Sequence, residues 1–295
     1  MIRQQDNLRG ILLMATGMFC FSAVDTMGKL LTDTLHPVQI VWFRQLGLVL
    51  GVLVFVALRG PSVLRSAHPV LQISRGVFAA GSATLFIFAV TYLAIADAVA
   101  ISFVAPFFVT IMGAAILREP VGIRRWSAVL IGFLGTLIVI RPGLGVMHPA
   151  AFLVLAAAFL FALRQILSRT LATADATATT VAYTALVSWG LLSLALPFFW
   201  EMPTTLTQML LLFGMASVGA VAEVLVIKAL EVGQAVAVAP VHYSLMIWGV
   251  LYGYLVFADL PDLLTWVGAL IIMASGLYTV HRERQLQRQT EAARR

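Results

Sequence analysis

The residues best able to do chemistry in this chain are charged groups inside long apolar stretches. Asp25 and Lys29 lie four apart with the acid first, the order that favours an ion pair on a helix. Arg44, in the next stretch, comes to a similar depth. An ionisable group inside a membrane is costly and is therefore a candidate for function. Two hypotheses fit these residues: a static ion pair that neutralises buried charge, or a contact that changes during activity.

The chain contains two copies of one plan, offset by 140 residues. Phe19 pairs with Phe159 and Trp126 with Trp266 at this offset, and the acidic Glu119 meets Asp259. A period this long in an apolar chain predicts a duplicated helical bundle. The same offset carries Asp25 to Gln165. Other polar residues of the second copy lie near the equivalent end, namely Arg164, Arg169, Glu223 and Lys228.

Composition predicts an all-α integral membrane protein. The chain is 61% hydrophobic and 11% charged, with a mean hydropathy of +0.98. A spanning helix needs about 20 mostly apolar residues. Ten stretches meet this requirement: 10–31, 38–58, 71–93, 96–117, 124–141, 149–169, 177–198, 206–228, 234–257 and 263–281. A soluble domain fits nowhere, and the single Cys20 excludes an internal disulfide and a cysteine metal cluster.

Charge predicts the topology. If the N-terminus is cytoplasmic, most of the 19 basic residues fall on or near the inner side, as the positive-inside rule requires. Five spans per copy then place the two copies in opposite orientations, which gives two inverted repeats related by an axis in the membrane plane. We expect residues 1–145 as the first repeat, 146–281 as the second, and 282–295 as a basic cytoplasmic tail. Both termini are expected inside the cell.

Polar and aromatic residues are concentrated in the ninth stretch. Its members are His242, Tyr243, Trp248 and Tyr252, to which Trp42 and Tyr92 from earlier stretches could add an aromatic-lined cavity. His242 could exchange protons near neutral pH or be a buried, hydrogen-bonded histidine. Aromatic residues at the ends of spans are equally expected as interface anchors. Pro106 and Pro240 are predicted bend points that line the same cavity.

Both copies resemble the EamA-type unit of the drug/metabolite transporter superfamily. The resemblance rests on residues 103–143 of the first copy and on Pro240, Trp248, Gly253, Asp259, Pro261, Trp266, Gly268 and Gly276 of the second. The second copy departs from the first, because Pro240 aligns with Pro106 only after a six-residue shift. Within the superfamily the chain is most similar to bacterial amino-acid and metabolite exporters of the YddG kind.

This resemblance implies a carrier in the bacterial inner membrane that exports an amino acid or related metabolite by alternating access. Cationic-drug efflux by proton antiport is the alternative. We expect Asp25, Lys29 and Arg44 to form an outer gate, and Arg164, Gln165, Arg169 and Glu223 an inner gate. The expected partners are a small organic solute and membrane lipids, with no nucleic acid and a monomer as the simplest assembly.

An intramembrane enzyme is the rival from another class. The zinc-protease, serine-protease, diphosphate-binding and P-loop motifs are all missing from the sequence. We therefore expect neither catalysis nor a cofactor or metal.

Overall fold

The computed structural model describes residues 6–118, 122–141, 148–172, 174–233 and 238–294. All regular structure in these ranges is helical. We label the α-helices in chain order: α1 Asn7–Leu31, α2 Pro37–Arg59, α3 Pro69–Val90, α4 Ile95–Ser102, α5 Ala105–Ala115, α6 Ile123–Ile140, α7 Ala150–Leu171, α8 Thr177–Ala195, α9 Leu206–Val232, α10 Ser244–Phe257 and α11 Leu263–Arg294. Short 3-10 helices cover Pro61–Leu64, Leu196–Phe198 and Ala239–Tyr243.

The predicted all-α membrane fold is confirmed. In the described residues, eight helical segments are long and apolar enough to cross a membrane, with α4 and α5 counted as one segment, Ile95–Ala115. Two shorter apolar helices, Trp126–Ile140 and Leu263–Tyr278, fall within the fifth and tenth predicted spans. The tail expected at 282–295 continues α11 as helix up to Arg294.

Several prolines lie in the first turn of a helix. Pro37 and Pro69 lie in the first turns of α2 and α3, where the missing N–H would have no intrahelical partner. Pro106 lies in the first turn of α5, directly after the interruption at Phe103–Val104, and Pro240 in the first turn of Ala239–Tyr243. The fourth and ninth spans are therefore not continuous α-helices. Glu119, Pro120, Pro142 and Gly143, predicted to lie in loops, fall outside the described residues.

Consecutive spans run in alternate directions, so the bundle has two ends. We call the end with Asn7, Arg59, Pro69, Leu171 and Val232 the proximal face. The opposite end, with Leu31, Pro37, Val90, Ala150 and Leu206, is the distal face.

Helix packing follows the duplication. Moving each helix to its counterpart in the other copy exchanges α1 with α7, α2 with α8, α3 with α9, the α4–α5 pair with α10, and α6 with α11. Under this exchange the packed pair α1–α9 becomes α7–α3, and α2–α9 becomes α8–α3, both of which are observed. The pairs α6–α11, α2–α8 and α4–α10 map onto themselves and are also packed. The core therefore has the pairing that two-fold-related five-helix units require.

Individual contacts obey the same offset of 140. The Phe19 and Trp248 rings meet edge to face with centroids 5.2 Å apart at 84°, and the equivalent Phe108 and Phe159 rings meet at 5.6 Å and 85°. In the α6–α11 interface, the Ser275 hydroxyl donates to the Ala128 carbonyl, and the equivalent pair is Gly135 beside the Gly268 carbonyl. The helices of the two halves therefore pack in the register that the 140-residue offset predicts.

Candidate functional site

Asp25 and Arg44 form an ion pair between α1 and α2. Arg44 Nη1 lies 2.9 Å from Asp25 Oδ1, and Asp25 is only 6% exposed. Each residue lies roughly two helical turns, about 10 Å, from the distal end of its helix. The Arg44 guanidinium also lies 6.0 Å from the centroid of the Phe21 ring. The pair joins the first two helices within the bundle.

Lys29 does not pair with Asp25, although the i, i+4 spacing allows it. Its ammonium group donates to the Leu93 carbonyl at 2.8 Å, lies 3.8 Å from an Asp259 carboxylate oxygen and packs over the Phe257 ring at 4.8 Å. The expectation of a local Asp25–Lys29 pair is wrong because Arg44 supplies a closer partner from a neighbouring helix. Lys29 instead connects α1 to the second half at the distal face.

A second charged set lies closer to the proximal face. Arg164 on α7 is within electrostatic range of Glu223 on α9 and of Arg44, and Arg75 on α3 is within range of both Arg164 and Glu223. The Arg164 guanidinium lies 4.8 Å over the Phe161 ring. Its Nε is buried and has no hydrogen-bond partner among the described residues. Gln165, the neighbour of Arg164, is half-buried.

Arg75 is a site residue that the sequence analysis did not single out. Arg75 lies about two turns inside α3, where its Nε donates to Ser168 Oγ at 2.7 Å and its Nη1 donates to the Thr184 hydroxyl. It therefore ties α3 of the first half to α7 and α8 of the second. The signal in the sequence was its position inside the third apolar stretch.

The distal face is closed by further polar contacts between the halves. Arg141 at the end of α6 pairs with Asp262, which also caps α11 through the Thr265 N–H at 2.8 Å. The Arg141 guanidinium lowers the pKa of Asp262 to about 2. Gln39 on α2 bonds both backbone groups of Glu201 at 2.8 Å.

The proximal face has its own tie, centred on Asp175 in the loop before α8. The carboxylate accepts hydrogen bonds from the Ser66 hydroxyl, the Ala67 N–H and Gln72 Nε2. These donors lower the pKa of Asp175 below its ordinary value, the Ser66 bond most of all. Sequence analysis did not single out Asp175, because a loop aspartate has no pattern that separates it from other turn residues. It joins the start of α3 to the second half.

The predicted aromatic residues do not form one cavity. Trp42 donates from Nε1 to Ser193 Oγ at 2.7 Å, and its ring contacts Trp189 on α8. Tyr92 is 61% exposed at the distal face, where it stacks on His148 at 5.4 Å. Trp248 and Tyr252 both contact Phe19. These contacts place the predicted aromatic residues in three separate groups, so the structure does not bring them together in the expected aromatic-lined cavity.

The segment around Pro240 packs against α1, α10 and α11. More than a third of the His242 surface is accessible. Tyr243 packs edge to face on Phe103 at 5.1 Å, and its hydroxyl fills the space where a Cβ at Gly276 would lie. The segment therefore contacts both the fourth span and α11.

A surface cleft with a volume of about 540 Å³ lies between α2 and α9. Its lining is almost wholly apolar and includes Phe43, Trp200, Met209 and Phe213. None of the predicted site residues lines it. Among the described residues, no three His, Cys, Asp or Glu side chains are grouped so that they could hold a metal ion.

Comparison with known proteins agrees with this architecture. The EamA-like transporter family matches residues 8–141. A riboflavin transporter of Vibrio cholerae is 34% identical over 206 residues, which cover 69% of each chain. The chain belongs to the EamA-like transporter family. It is therefore a multi-pass membrane transporter of the drug/metabolite superfamily, as the resemblance implied.

Other relatives of this EamA-like transporter are named for different solutes. An S-adenosylmethionine uptake transporter of Rickettsia bellii is 28% identical over 264 residues and 90% of each chain. The pseudopaline exporter CntI of Pseudomonas aeruginosa is 27% identical over 275 residues, which are 90% of this chain and 94% of that one. A solved crystal structure shares the fold, with a TM-score of 0.58 at 18% identity over 95% of this chain.

Proposed function

We propose that this protein is a secondary transporter that moves an amino acid or an amino-acid-related metabolite across the bacterial inner membrane by alternating access. The observation that carries the proposal is that polar ties join the two halves at both faces. The relatives named for S-adenosylmethionine, riboflavin and pseudopaline support a small organic solute. They include both uptake and export proteins, so they leave the direction to experiment.

Alternating access requires that one face open while the other stays closed. The ties at the distal face include Lys29 with Asp259 and Arg141 with Asp262, and the tie at the proximal face is centred on Asp175. All are polar groups near the bundle ends, so water can replace each partner when a face opens. Two-fold-related packing of the halves supplies two equivalent arrangements of the same helices.

The charged groups between the faces supply the polar path that a solute needs. Asp25, Arg44, Arg164 and Glu223 come from four helices of both halves and lie at depths between the two sets of ties. Ionisable groups at such positions mark pathways in transporters because isolated charges are unfavourable in the bilayer. We infer a central site between the ties, with both termini on the cytoplasmic side.

Solute flux into proteoliposomes tests this function. The panel is L-amino acids, S-adenosylmethionine, riboflavin and a lipophilic cation, each measured with and without a pH gradient and against protein-free liposomes. We expect saturable flux of amino acids or S-adenosylmethionine. Flux of lipophilic cations alone, driven by protons, would replace the amino-acid assignment with drug efflux. No saturable flux of any compound would overturn the transport proposal.

A further inference from the structure

The most unusual feature of the interior is a guanidinium and a carboxylate that are close but unpaired. We propose that Arg164 binds the carboxylate, and Glu223 the ammonium group, of an α-amino-acid moiety of the solute. This inference rests on the transport function proposed above and assigns the class of solute. It also changes the sequence-based role of these two residues from an inner gate to direct contacts with the solute.

Arg164 is poorly satisfied by its own chain. Its Nε is buried without a partner among the described residues, and its guanidinium lies 4.8 Å from the centroid of the Phe161 ring. A buried donor that loses hydration without a hydrogen bond is unfavourable, more so on a charged group. A carboxylate from a solute would remove this penalty, and a planar carboxylate can accept two parallel bonds from a guanidinium.

Glu223 lies near Arg164 without neutralising it. The two charges interact electrostatically, but among the described residues no ion pair within 4.0 Å joins them. Their helices, α7 and α9, are not among the extensively packed pairs of the bundle, since α7 packs on α3 and α9 packs on α1 and α2. Opposite charges on two helices that pack on different partners match the two charges of a small zwitterion.

The other charged groups nearby already have partners. Arg44 is bonded to Asp25, and Arg75 donates to Ser168 and the Thr184 hydroxyl. Arg75 and Arg164 together outweigh Glu223 by one positive charge, so the solute's carboxylate should be held more strongly than its ammonium group. This site would accept S-adenosylmethionine or an amino acid and disfavour riboflavin, which carries neither group.

Competition between matched compounds tests the proposal in proteoliposomes. The labelled probes are L-methionine, S-adenosylmethionine and riboflavin. The competitors are L-methionine, L-methioninamide, which lacks the carboxylate, and 4-(methylthio)butanoate, which lacks the ammonium group. For the wild type we expect inhibition by methioninamide to be at least about tenfold weaker than inhibition by methionine, the difference that one charge-assisted bidentate contact supplies.

The variants are Arg164→Gln, Arg164→Lys and Glu223→Gln, with Lys228→Gln as the matched control because Lys228 is exposed on the same helix as Glu223. In Arg164→Gln the preference for methionine over methioninamide should fall to about onefold, and Arg164→Lys should retain part of it. Glu223→Gln should remove the preference for methionine over 4-(methylthio)butanoate. Lys228→Gln should leave both preferences intact.

Each outcome decides between the proposals. Equal inhibition by methionine and methioninamide in the wild type, or an unchanged preference in Arg164→Gln, overturns the carboxylate site while transport stands. Saturable flux of riboflavin without flux of the other two probes does the same. Absence of saturable flux of every probe overturns transport and the site together. If Arg164→Gln fails to fold, Arg164→Lys and the wild-type competition still decide the question.

Discussion

The two five-helix halves share their packing but not the charges between the two faces. The edge-to-face pairs Phe19–Trp248 and Phe108–Phe159 have nearly the same geometry at equivalent positions. The charges deeper in the bundle have no such equivalence, because the offset of 140 takes Asp25 to Gln165 and Arg44 to Thr184. In the other direction it takes Arg164 to Val24 and Glu223 to Ala83.

This difference separates scaffold from site. In alternating access, each half adopts the conformation that the other half had before. The contacts between helix backbones must therefore be possible in both halves. A solute is bound only once and need not be symmetric, so the charges in contact with it are free to differ between halves. Residues that break the repeat are therefore the better guide to the site, and residues that obey it to the fold.

The largest expected effect comes from a close crossing of the scaffold. Gly47 on α2 packs so tightly on α9 that an added Cβ would lie 1.9 Å from the Ala216 carbonyl oxygen. Gly47→Val should destabilise the protein by the upper end of the overpacking range of about 1–3 kcal/mol or more. The measurement is thermal unfolding and monodispersity in detergent. Gly51→Val is the control, since nothing lies within 4 Å of a Cβ there; equal effects would contradict the packing.

The next largest effect concerns a charge pair present in one half only. Asp25→Asn removes the charge that balances the Arg44 guanidinium, and because the Arg44 side chain is 20% exposed, the loss should stay below the roughly 3–5 kcal/mol for breaking a fully buried pair. We expect a lower unfolding temperature and reduced flux. Asp25→Asn combined with Arg44→Gln should recover part of the stability. Asp33→Asn, an exposed acid beyond the end of the same helix, is the control. A double variant no more stable than Asp25→Asn would contradict the pairing.

The equivalent ring pairs test the symmetry itself. Phe19→Leu and Phe159→Leu each remove one member of an edge-to-face pair, which contributes about 0.5–1.5 kcal/mol beyond burial. Thermal unfolding should show losses of similar size. Phe19 also contacts Tyr252, so its loss should be the larger of the two. A larger loss at Phe159 would show that the equivalence of the contacts does not extend to their energies.

The smallest effect is expected at the distal face. Because Arg141 lowers the pKa of Asp262 to about 2, the ionised acid stabilises the fold above its ordinary pKa, and this stability is lost as pH falls from about 4 to about 2. At neutral pH, Asp262→Asn should cost no more than about 1 kcal/mol, as for exposed ion pairs. Unfolding temperatures measured against pH should differ between Asp262→Asn and wild type above pH 4 and converge toward pH 2. A difference in unfolding temperature that does not change with pH would exclude a contribution from the ionisation of Asp262.

Apolar content and spacing were enough to predict much of this fold. Runs of about 20 apolar residues must form helices in a bilayer, because no water is available to bond the backbone there. The repeat of Phe19 with Phe159 and of Trp126 with Trp266 also predicted which helices are equivalent. The two interrupted spans were marked in advance by Pro106 and Pro240.

Sequence spacing could not determine the partners of long polar side chains. Lys29 lies within reach of Asp25 along one helix, yet its ammonium group bonds the Leu93 carbonyl. Arg75 lies inside the third predicted stretch, yet nothing in its spacing showed that its guanidinium would bond Ser168 and Thr184 of the second half. The aromatic cavity predicted from Trp42, Tyr92 and Trp248 failed because aromatic residues serve equally well as packing and as surface anchors.

The sequence by itself determined the membrane-spanning helices, their duplication and the equivalence of the two halves, since these depend on local hydrophobicity and on period. Only the tertiary structure decided that Asp25 pairs with Arg44, that Arg75 binds α7 and α8, and that no ion pair within 4.0 Å joins Arg164 to Glu223 among the described residues. The reason is physical: these partners lie on different helices, and a polar side chain's partner depends on how those helices cross.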